Sequence, residues 1–537
     1  MGLMRASLAT VSLVLGLASA ILVPACSNSS DPLPPPGGGP GPGTGSGTGS
    51  STGSGPCNPA CAPRCDELAE PLCFDCGGDL IPAECHGASW VCPPVCLCGP
   101  ALWQQTASGN GSQTGSAITS SFGLGVIVAG SFGGTIGLGG ETFTSSEPDI
   151  DQHDAVAARL FPDGTHEWSF AFGDLGDEFV SDAFVDADGA TTVLVGTYRS
   201  AQSVGGFVLP EASSGGLFVI KLGLSGDVLF ASGFVGGANG TRARAASMPN
   251  SDIMLAGDTS GTIDFGGGPI TGDSTSDVVV ARLDPSGGLV YARRFSGTSN
   301  ELATDIAIAP NGDAIVVGLF RETLDFGLGP LTSAGELDVF MIRLDDLGNV
   351  VQSTAYGGAG AEGVPSVVVD SAGNIILTAS YSDGADFGGG SLATDSLGGV
   401  VASYDPGGTL RWAHPFTGSS TAVSGGDIFR LAVDSADNVV LAGQFQGTFS
   451  IGHKTHDSAG DYDIVVARIG PQGNVLDSCR YGSANSEHVG DVATDPVVGE
   501  VLLTGSYFET LDFGLGPMIG DGNGEMFYVR LQHTDVQ

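Results

Sequence analysis

Asp-Phe-Gly, the tripeptide that holds magnesium in protein kinases, recurs along this chain of 537 residues. Two copies lie in the identical stretch ETLDFGLGP, at 322–330 and 509–517, and further copies lie in TIDFGG at 262–267 and GADFGG at 384–389. A kinase would carry one such motif together with a His-Arg-Asp loop and a lysine on its third strand, and this chain lacks that set. The repetition therefore indicates architecture and not phosphoryl transfer.

Carboxylates recur in phase in two loops of the repeat, and oxygen ligands of this kind suit calcium. The loop with Asp-Phe-Gly supplies Asp264, Asp325, Asp386 and Asp512, and a second loop supplies Glu178, Glu301, Glu362 and Glu487. If both loops open on one face, these eight residues form an acidic binding face for calcium or another cationic ligand. Three repeats would then contribute a pair of carboxylates: Glu301 with Asp325, Glu362 with Asp386, and Glu487 with Asp512.

The alternative is that each carboxylate accepts hydrogen bonds from amides of its own turn, and repetition in phase favours this alternative. Calcium is the first candidate for a ligand of the face, and no other cofactor is predicted. No catalytic residue can be assigned, because neither Lys221 nor Lys454 follows a glycine as in a P-loop, and no His-Glu-x-x-His motif is present.

The elements that position these loops are short strands repeated at a nearly constant period. Apolar runs such as VIVAG and IVVG end at positions separated by 66, 61, 61, 61, 64 and 62 residues. Those end positions are Gly130, Gly196, Gly257, Gly318, Ala379, Gly443 and Gly505. Each period contains four β-branched runs separated by Gly, Asn and Asp turns, without a helical pattern. The sequence therefore predicts an all-β fold, a seven-bladed β-propeller of four-stranded blades over residues 101–537.

The last repeat stops after its third strand, and the missing fourth strand is found at the start of the repeat region. ALWQQTASG at 101–109 resembles two fourth strands, with Trp103 in register with Trp168 and Trp412. We expect residues 101–107 to pair with 526–531 and close the ring, which also removes exposed sheet edges.

The first strand of each blade lines the central channel of a propeller. The positions that lead these strands are Ser116, Asp182, Arg244, Asp305, Ser366, Arg430 and Asp491. This series varies from blade to blade, as an asymmetric ligand would require, and neutral drift at a solvated position would give the same variation.

Basic residues recur in the third strand of the blades, where they are predicted to stabilise each blade as ion pairs or as hydrogen-bond donors. They are Arg159, Lys221, Arg282, Arg343, Arg468 and Arg530, with Ser403 breaking the series.

The overall charge excludes a nucleic-acid ligand. The chain has 59 acidic and 18 basic residues, for a formal charge of −41, and no cluster of Lys and Arg offsets this charge. Such a surface repels phosphate backbones and anionic lipid, so a membrane contact is expected only through a lipid anchor.

The N-terminus reads as an export signal. Residues 1–25 combine Arg5 with an apolar run, and the following Val-Pro-Ala-Cys resembles the lipobox of bacterial lipoproteins, in which Cys26 would be acylated. The alternative is ordinary cleavage after Ala20, and both export the protein. Residues 26–56 are a tether rich in Pro, Gly and Ser with no core-forming side chains.

Residues 57–100 form a cysteine-rich module that is too poor in large apolar side chains to fold around a core alone. Export favours disulfides over a zinc site here. The candidates are Cys57, Cys61, Cys65, Cys73, Cys76, Cys85, Cys92, Cys96 and Cys98, with Cys479 in the propeller. Because nine is odd, one cysteine stays free, pairs between molecules or reaches Cys479.

From 101 onward the chain resembles the bacterial β-propeller repeat (SBBP) family, through units such as SDVVVARLDPSGGLVYARRFSG at 276–297 and YDIVVARIGPQGNVLDSCRYG at 462–482. The resemblance implies the propeller fold and transfers no catalytic residue. The expected protein is an exported lipoprotein of the cell envelope, facing periplasm or cell surface from the outer membrane, that binds or scaffolds a protein, glycan or cation. The alternative is an extracytoplasmic propeller enzyme, such as a hydrolase, lyase or quinoprotein, acting on glycans or small organic substrates.

Overall fold

The computed structural model describes residues 99–532 apart from 124, 147–151, 237–242, 383, 393–397 and 419–428. It also describes the backbone of short strands at 72–74, 80–82, 84–86, 89–91, 95–96 and 534–535. The predicted signal peptide, Cys26 and the tether lie outside the described residues. Regular structure in the described part of the chain is entirely β-strand, and no helix there has the length and apolarity to cross a membrane.

Seven antiparallel units of four strands follow one another along the chain, and we call them blades 1 to 7. Six are four-stranded sheets, and the four strands of blade 5 belong to a six-stranded sheet that a hairpin of blade 6 extends. In blades 1 to 6 the strands pair in the order in which they occur, so each blade is a meander from its first to its fourth strand. The first strands are Gln113–Ser121, Phe179–Val185, Arg244–Ser247, Leu302–Ile308, Ser366–Val369, Arg430–Val433 and Glu487–Thr494. The second strands are Gly125–Phe132, Thr192–Tyr198, Ile253–Ile263, Ala314–Phe320, Ile375–Tyr381, Val439–Phe445 and Val501–Tyr507.

The outer half of each blade is made of its third and fourth strands. The third strands are Asp154–Leu160, Gly216–Leu222, Ile270–Leu283, Asp338–Leu344, Gly398–Tyr404, Asp463–Ile469 and Glu525–Leu531. The fourth strands are His166–Phe172, Val228–Val235, Leu289–Phe295, Val350–Tyr356, Leu410–Gly418, Val475–Tyr481 and, for blade 7, Ala101–Thr106.

The blades form a closed ring. Each first strand contacts the first strands of the two neighbouring blades, and the series returns from blade 7 to blade 1. The seven hydrophobic clusters of the core each lie between two adjacent blades, because alternate side chains of a strand point to opposite faces of its sheet. The fold is therefore the seven-bladed β-propeller that the repeat predicts.

Blade 7 takes its fourth strand from the other end of the propeller. Ala101–Thr106 pairs antiparallel with Glu525–Leu531, and Trp103 lies opposite Arg530. Trp168 lies opposite Arg159 in blade 1 in the same way, so the register expected from the sequence is present at the seam. Trp103 is buried, meets Tyr528 edge-on at 6.4 Å between ring centroids, and donates from Nε1 to the Pro162 carbonyl of blade 1 at 3.0 Å.

Short hairpins between the second and third strands add a feature that the four-strand prediction did not contain. They pair Gln202–Val204 with Phe207–Leu209, Thr323–Asp325 with Pro330–Thr332, Thr448–Ile451 with Lys454–Asp457, and Thr510–Leu511 with Met518–Ile519. In blade 1, Thr135–Gly137 pairs with Thr142–Thr144 and also with Ser108–Asn110. In blade 3 the hairpin continues directly from the second and third strands.

These hairpins also connect neighbouring blades. The hairpin of blade 6 pairs with the fourth strand of blade 5, where Thr417 lies opposite Ser450. Single bridges join Gly297 to Leu324 and Gly357 to Asp386, so blades 4 and 5 contact the blades before them in the same way.

The basic residues of the third strands make the predicted ion pairs, and this prediction is confirmed. Each pairs with an acid of its own blade: Lys221 with Asp186, Arg282 with Asp252, Arg343 with Asp313, Arg468 with Asp434, Arg530 with Asp495, and Arg159 with Glu167. Several also reach the next blade, as where Arg343 Nη1 donates to the Pro406 carbonyl at 2.5 Å. These side chains stabilise both the blade and its docking on the next one.

Candidate functional site

The Asp-Phe-Gly motif forms the turn of the short hairpin. In blade 4, Asp325 Oδ1 accepts from the amides of Gly327 at 2.7 Å and Gly329 at 3.1 Å, while Phe326 is buried in the core. Both glycines have positive φ, at 97° and 110°, a conformation that side chains with Cβ disfavour. The aspartate closes the turn, the phenylalanine anchors it, and the glycines permit it.

The same arrangement is present in the other copies of the motif. Asp264, Asp386 and Asp512 each accept from the amides two and four residues onward, at 2.7 Å and 3.0 Å. The four aspartates of the expected binding face therefore use one carboxylate oxygen on their own turns.

The four glutamates of the expected binding face are not on a face at all. Glu178, Glu301, Glu362 and Glu487 are each fully buried, so the interpretation of an exposed acidic surface built from them is wrong. Each lies at the junction between two blades, at or just before the first strand of its own blade. A glutamate in a loop of small polar residues looks exposed in the sequence, and only the docking of the neighbouring blade buries it.

Each buried glutamate lies beside an aspartate in the third strand of the preceding blade, 24 residues earlier in all four cases. The pairs are Asp154 with Glu178, Asp277 with Glu301, Asp338 with Glu362, and Asp463 with Glu487. In every pair the glutamate amide donates to the carbonyl of the residue before the aspartate, at 2.7–2.8 Å. The sequence analysis missed these aspartates, although the constant spacing was a visible signal.

Two of the acid pairs are neutralised by an arginine on the fourth strand. Arg294 Nε donates to Asp277 at 2.6 Å, and Arg480 is ion-paired with Asp463. In blade 4 the equivalent position, opposite Phe340, is Ala355. The pair of Asp338 and Glu362 therefore has no cation of this kind.

The pKa values of both acids in this pair are raised, as expected for buried carboxylates without a neighbouring cation. Burial, and then the charge of Asp338, raise the pKa of Glu362 to about 9. Burial also raises the pKa of Asp338. Both carboxylate oxygens of Glu362 and Oδ1 of Asp338 lack a hydrogen-bond partner among the described residues. The protonated form of Glu362 is therefore favoured at neutral pH.

Calcium is expected not to stabilise the propeller, because the exposed aspartates are occupied by turn amides and the glutamates are buried. Among the described residues, no group of three or more His, Cys, Asp or Glu side chains is placed to hold a metal. We expect the same melting temperature in millimolar calcium and in excess chelator, with magnesium as the control for ionic strength. If calcium raises the melting temperature and chelator reverses that rise, the prediction is wrong and the loops bind the cation.

The mouth of the central channel is a place where predicted site residues converge on a cavity. Six of the seven expected lining residues border a cavity of about 340 Å³: Asp182, Arg244, Asp305, Ser366, Arg430 and Asp491. The seventh, Ser116, donates from Oγ to the Val180 carbonyl of the next blade at 2.5 Å.

The aspartates of the channel each connect one blade to the next. Oδ2 of Asp182 accepts from the Ala245 amide at 2.9 Å, and Oδ2 of Asp491 accepts from the Ile118 amide at 3.0 Å. Asp305 Oδ2 accepts from the next blade too, from the Val367 amide and from the Ser366 hydroxyl. The channel carboxylates thus have a structural role on one oxygen.

Charges interact across the channel. Burial raises the pKa of Asp491 to about 6, against the opposing effect of Arg244. Burial likewise raises the pKa of Asp182, which Arg244 lowers and Asp305 raises. Because these residues belong to blades on different sides of the ring, their interaction shows that the side chains point toward a common space.

Cys479 is buried in the fourth strand of blade 6 and is disulfide-bonded, with a partner outside the described side chains. Its strand contacts the short strand Val95–Cys96 of the cysteine-rich module, which pairs with Thr534–Asp535. Nothing is described for the side chains of the nine cysteines of the module.

No family model matches the chain. The regulatory protein FlaEY of Caulobacter vibrioides is 32% identical to it over 131 residues, which are 24% of this chain and 12% of that protein. The chain thus spans a small part of the length of this curated relative.

Several solved structures resemble the chain weakly. The Neurospora crassa Pan2 WD40 domain has a TM-score of 0.38 at 10% identity and covers 77% of this chain and 88% of its own. A protein of unknown function from Dyadobacter fermentans has a TM-score of 0.39 at 9% identity, over 82% of this chain and 100% of its own. Chaetomium thermophilum Sqt1, bound to the N-terminus of ribosomal protein L10, has a TM-score of 0.37 at 12% identity, over 79% of this chain and 98% of its own. The propeller fold rests on the strand pairing described above.

Proposed function

We propose that this chain is an exported, membrane-anchored lipoprotein of the bacterial β-propeller repeat type that acts as a binding or scaffold protein of the cell envelope. One observation carries the proposal: the repeated carboxylates are used in turns and between blades, so the repeat builds a rigid ring and not a series of catalytic sites. The lipobox-like Val-Pro-Ala-Cys and the tether of residues 26–56 support the anchor.

The tether sets the distance at which the propeller would act. At about 5–6 Å times the square root of the residue number, some thirty flexible residues span roughly 30 Å. That distance keeps the ring clear of the lipid surface, which its charge of −41 would also avoid.

The cysteine-rich module is proposed to be cross-linked by disulfides and to be joined to the propeller through Cys479. The disulfide of Cys479 and the contact of its strand with Val95–Cys96 support a link near the seam of the ring. Export supplies the oxidising environment that such a link requires.

One observation favours the alternative of an enzyme. The channel mouth gathers carboxylates of unlike environment, since the pKa of Asp491 is raised by burial to about 6 and that carboxylate lies near two arginines. Perturbed groups of this kind occur in active sites and in structural ion-pair networks alike. The hydrogen bonds of the three channel aspartates to neighbouring blades support the structural role.

The anchor is tested by mass spectrometry of the membrane fraction of cells that express the full chain. We expect a diacylated N-terminal cysteine at Cys26, and we expect Cys26→Ala to shift the protein to the soluble fraction while Ser27→Ala leaves it in the membrane. A soluble mature protein that begins at Ile21 would refute the anchor.

A further inference from the structure

We propose that the mouth of the central channel binds a small zwitterion, a molecule that carries an ammonium group and a carboxylate on a short aliphatic body. This inference deepens the binding role proposed above and rests on it. It assigns that role to one site of defined chemistry inside the ring.

The cavity at the channel mouth is asymmetric in charge, although the blades around it are repeats. Around the ring, blades 2, 4 and 7 present aspartates and blades 3 and 6 present arginines. Positions that serve only the repeat have the same residue in most blades, as the turn aspartates do. An arrangement of three acids and two bases around about 340 Å³ matches a ligand with two opposite charges.

Arg244 is the group that calls for a carboxylate. Its side chain is only 8% exposed, and its Nε has no hydrogen-bond partner among the described residues. Its Nη1 lies 3.8 Å from Asp182 Oδ1, beyond hydrogen-bonding distance. A buried guanidinium with an unused donor is costly, and a carboxylate matches the planar fork of donors that it presents.

Asp491 is the group that calls for an ammonium. One of its oxygens accepts from the Ile118 amide, and the other has no hydrogen-bond donor among the described residues, although Arg244 and Arg430 lie near the carboxylate. Asp305 provides the contrast, because its Oδ1 accepts from the Ile306 amide and its Oδ2 from Ser366 and Val367. Asp305 is therefore structural, whereas Asp491 retains an oxygen for a ligand.

The lining of the cavity is mostly polar, and aliphatic side chains make up a smaller part of it. Ile306, Ile308, Val367, Val369, Leu431 and Val433 line the same cavity. Aliphatic atoms of a ligand would pack against these side chains and be removed from water, which contributes about 25 cal/mol per Å² of apolar surface buried. Charged ends and an aliphatic middle are thus both accommodated.

A ligand with a single charge fits the site less well. An anion would face three aspartates and a strongly acidic protein, and a cation would leave the Nε of Arg244 without an acceptor. Only a molecule with both groups satisfies Arg244 and Asp491 together.

The test is calorimetric titration of the full chain with 6-aminohexanoate as the probe, beside pentylamine and hexanoate, which each carry one of its two charges. We expect 6-aminohexanoate to bind and the two singly charged compounds to bind about tenfold or more weakly, as the loss of one charged hydrogen-bonding pair predicts. Asp491→Asn keeps the acceptor for Ile118 and should weaken binding to a similar extent, as should Arg244→Met.

Asp264→Asn, on an exposed turn outside the channel, is the matched control and should bind as the wild type does. Absence of binding by the folded wild type would overturn the inference, as would affinity unchanged by Asp491→Asn, or equal binding of pentylamine. If Arg244→Met fails to fold, the ligand series on the wild type and Asp491→Asn still decide. Acylation of Cys26 is measured separately, so failure of the channel site leaves the anchored protein intact, and the reverse also holds.

Discussion

Replacing Glu362 by glutamine is expected to stabilise the propeller at pH 8, although the residue is fully buried and buried polar substitutions usually destabilise. The wild-type pair of Asp338 and Glu362 has no arginine to neutralise it and must hold a proton. Glutamine supplies a permanent N–H donor for the Asp338 oxygen that lacks a partner, so no proton has to be taken from solvent.

The pH dependence follows from the direction of the shift. Because the pKa of Glu362 is raised from 4.5 to about 9, the folded state binds the proton more tightly than the unfolded state. The favourable protonation is fully present below pH 4.5, and its contribution to the free energy of unfolding is lost progressively as the pH rises toward 9. We expect Glu362→Gln to gain about 1–3 kcal/mol over wild type at pH 8 and little at pH 5.

Scanning calorimetry at both pH values measures the effect, as a gain of about 2 °C at pH 8 for a domain of this size. Glu301→Gln is the matched control. Glu301 accepts from the Gly297 amide at 3.0 Å, and Arg294 neutralises the Asp277 beside it, so its glutamine variant should be neutral or less stable than wild type. A variant Glu362→Gln that loses stability at pH 8 would show that the pair is ionised and stabilised by other groups.

Replacing Trp103 by alanine is expected to lower the free energy of unfolding by about 3–5 kcal/mol, the cost of removing a large aromatic side chain from a packed core. Trp103 packs between blades 7 and 1, and its Nε1 bond to Pro162 crosses the same junction. Because its strand joins blade 7 by pairing and packing and not by a connecting turn, loss of the side chain also loosens the closure of the ring.

Calorimetry and limited proteolysis at the seam measure this loss. Leu102→Ala, on the same strand but 45% exposed, should change stability by less than about 0.5 kcal/mol. Trp412→Ala is the matched aromatic control, because Trp412 donates to Pro471 in the same way within an uninterrupted blade. Equal proteolysis of the two tryptophan variants at residues 101–106 would mean that Trp103 has no special role at the seam.

The sequence contained most of the fold because the fold is built from local patterns. The blades could be predicted from strands of β-branched residues, turns of Gly and Asp, and a period near 61 residues. The seam could be predicted from the register of Trp103 with Trp168. The basic residues of the third strands were also predictable, since each pairs with an acid of its own blade, as Lys221 does with Asp186.

The site was less predictable because it depends on contacts between blades. Glu362 lies in a loop rich in Gly and Ala, and its burial arises from the docking of the strand that begins at Asp338. The residues that line the channel could be identified in the sequence. The hydrogen bond from the Ile118 amide to Asp491, however, depends on how blade 7 is rotated against blade 1. Such rotations are set by packing of whole sheets and leave no short signal in the sequence.

The seam imposes an order on the assembly of the molecule during synthesis. The strand Ala101–Thr106 emerges first, yet its partner Glu525–Leu531 is made more than four hundred residues later. Blades 1 to 6 consist of consecutive strands and can form as the chain lengthens. Closure requires the last strand, and it carries the entropic cost of bringing together two ends separated by the whole ring. Until then Trp103 has no pocket and two sheet edges are unpaired, so the open ring is most prone to aggregation in this interval.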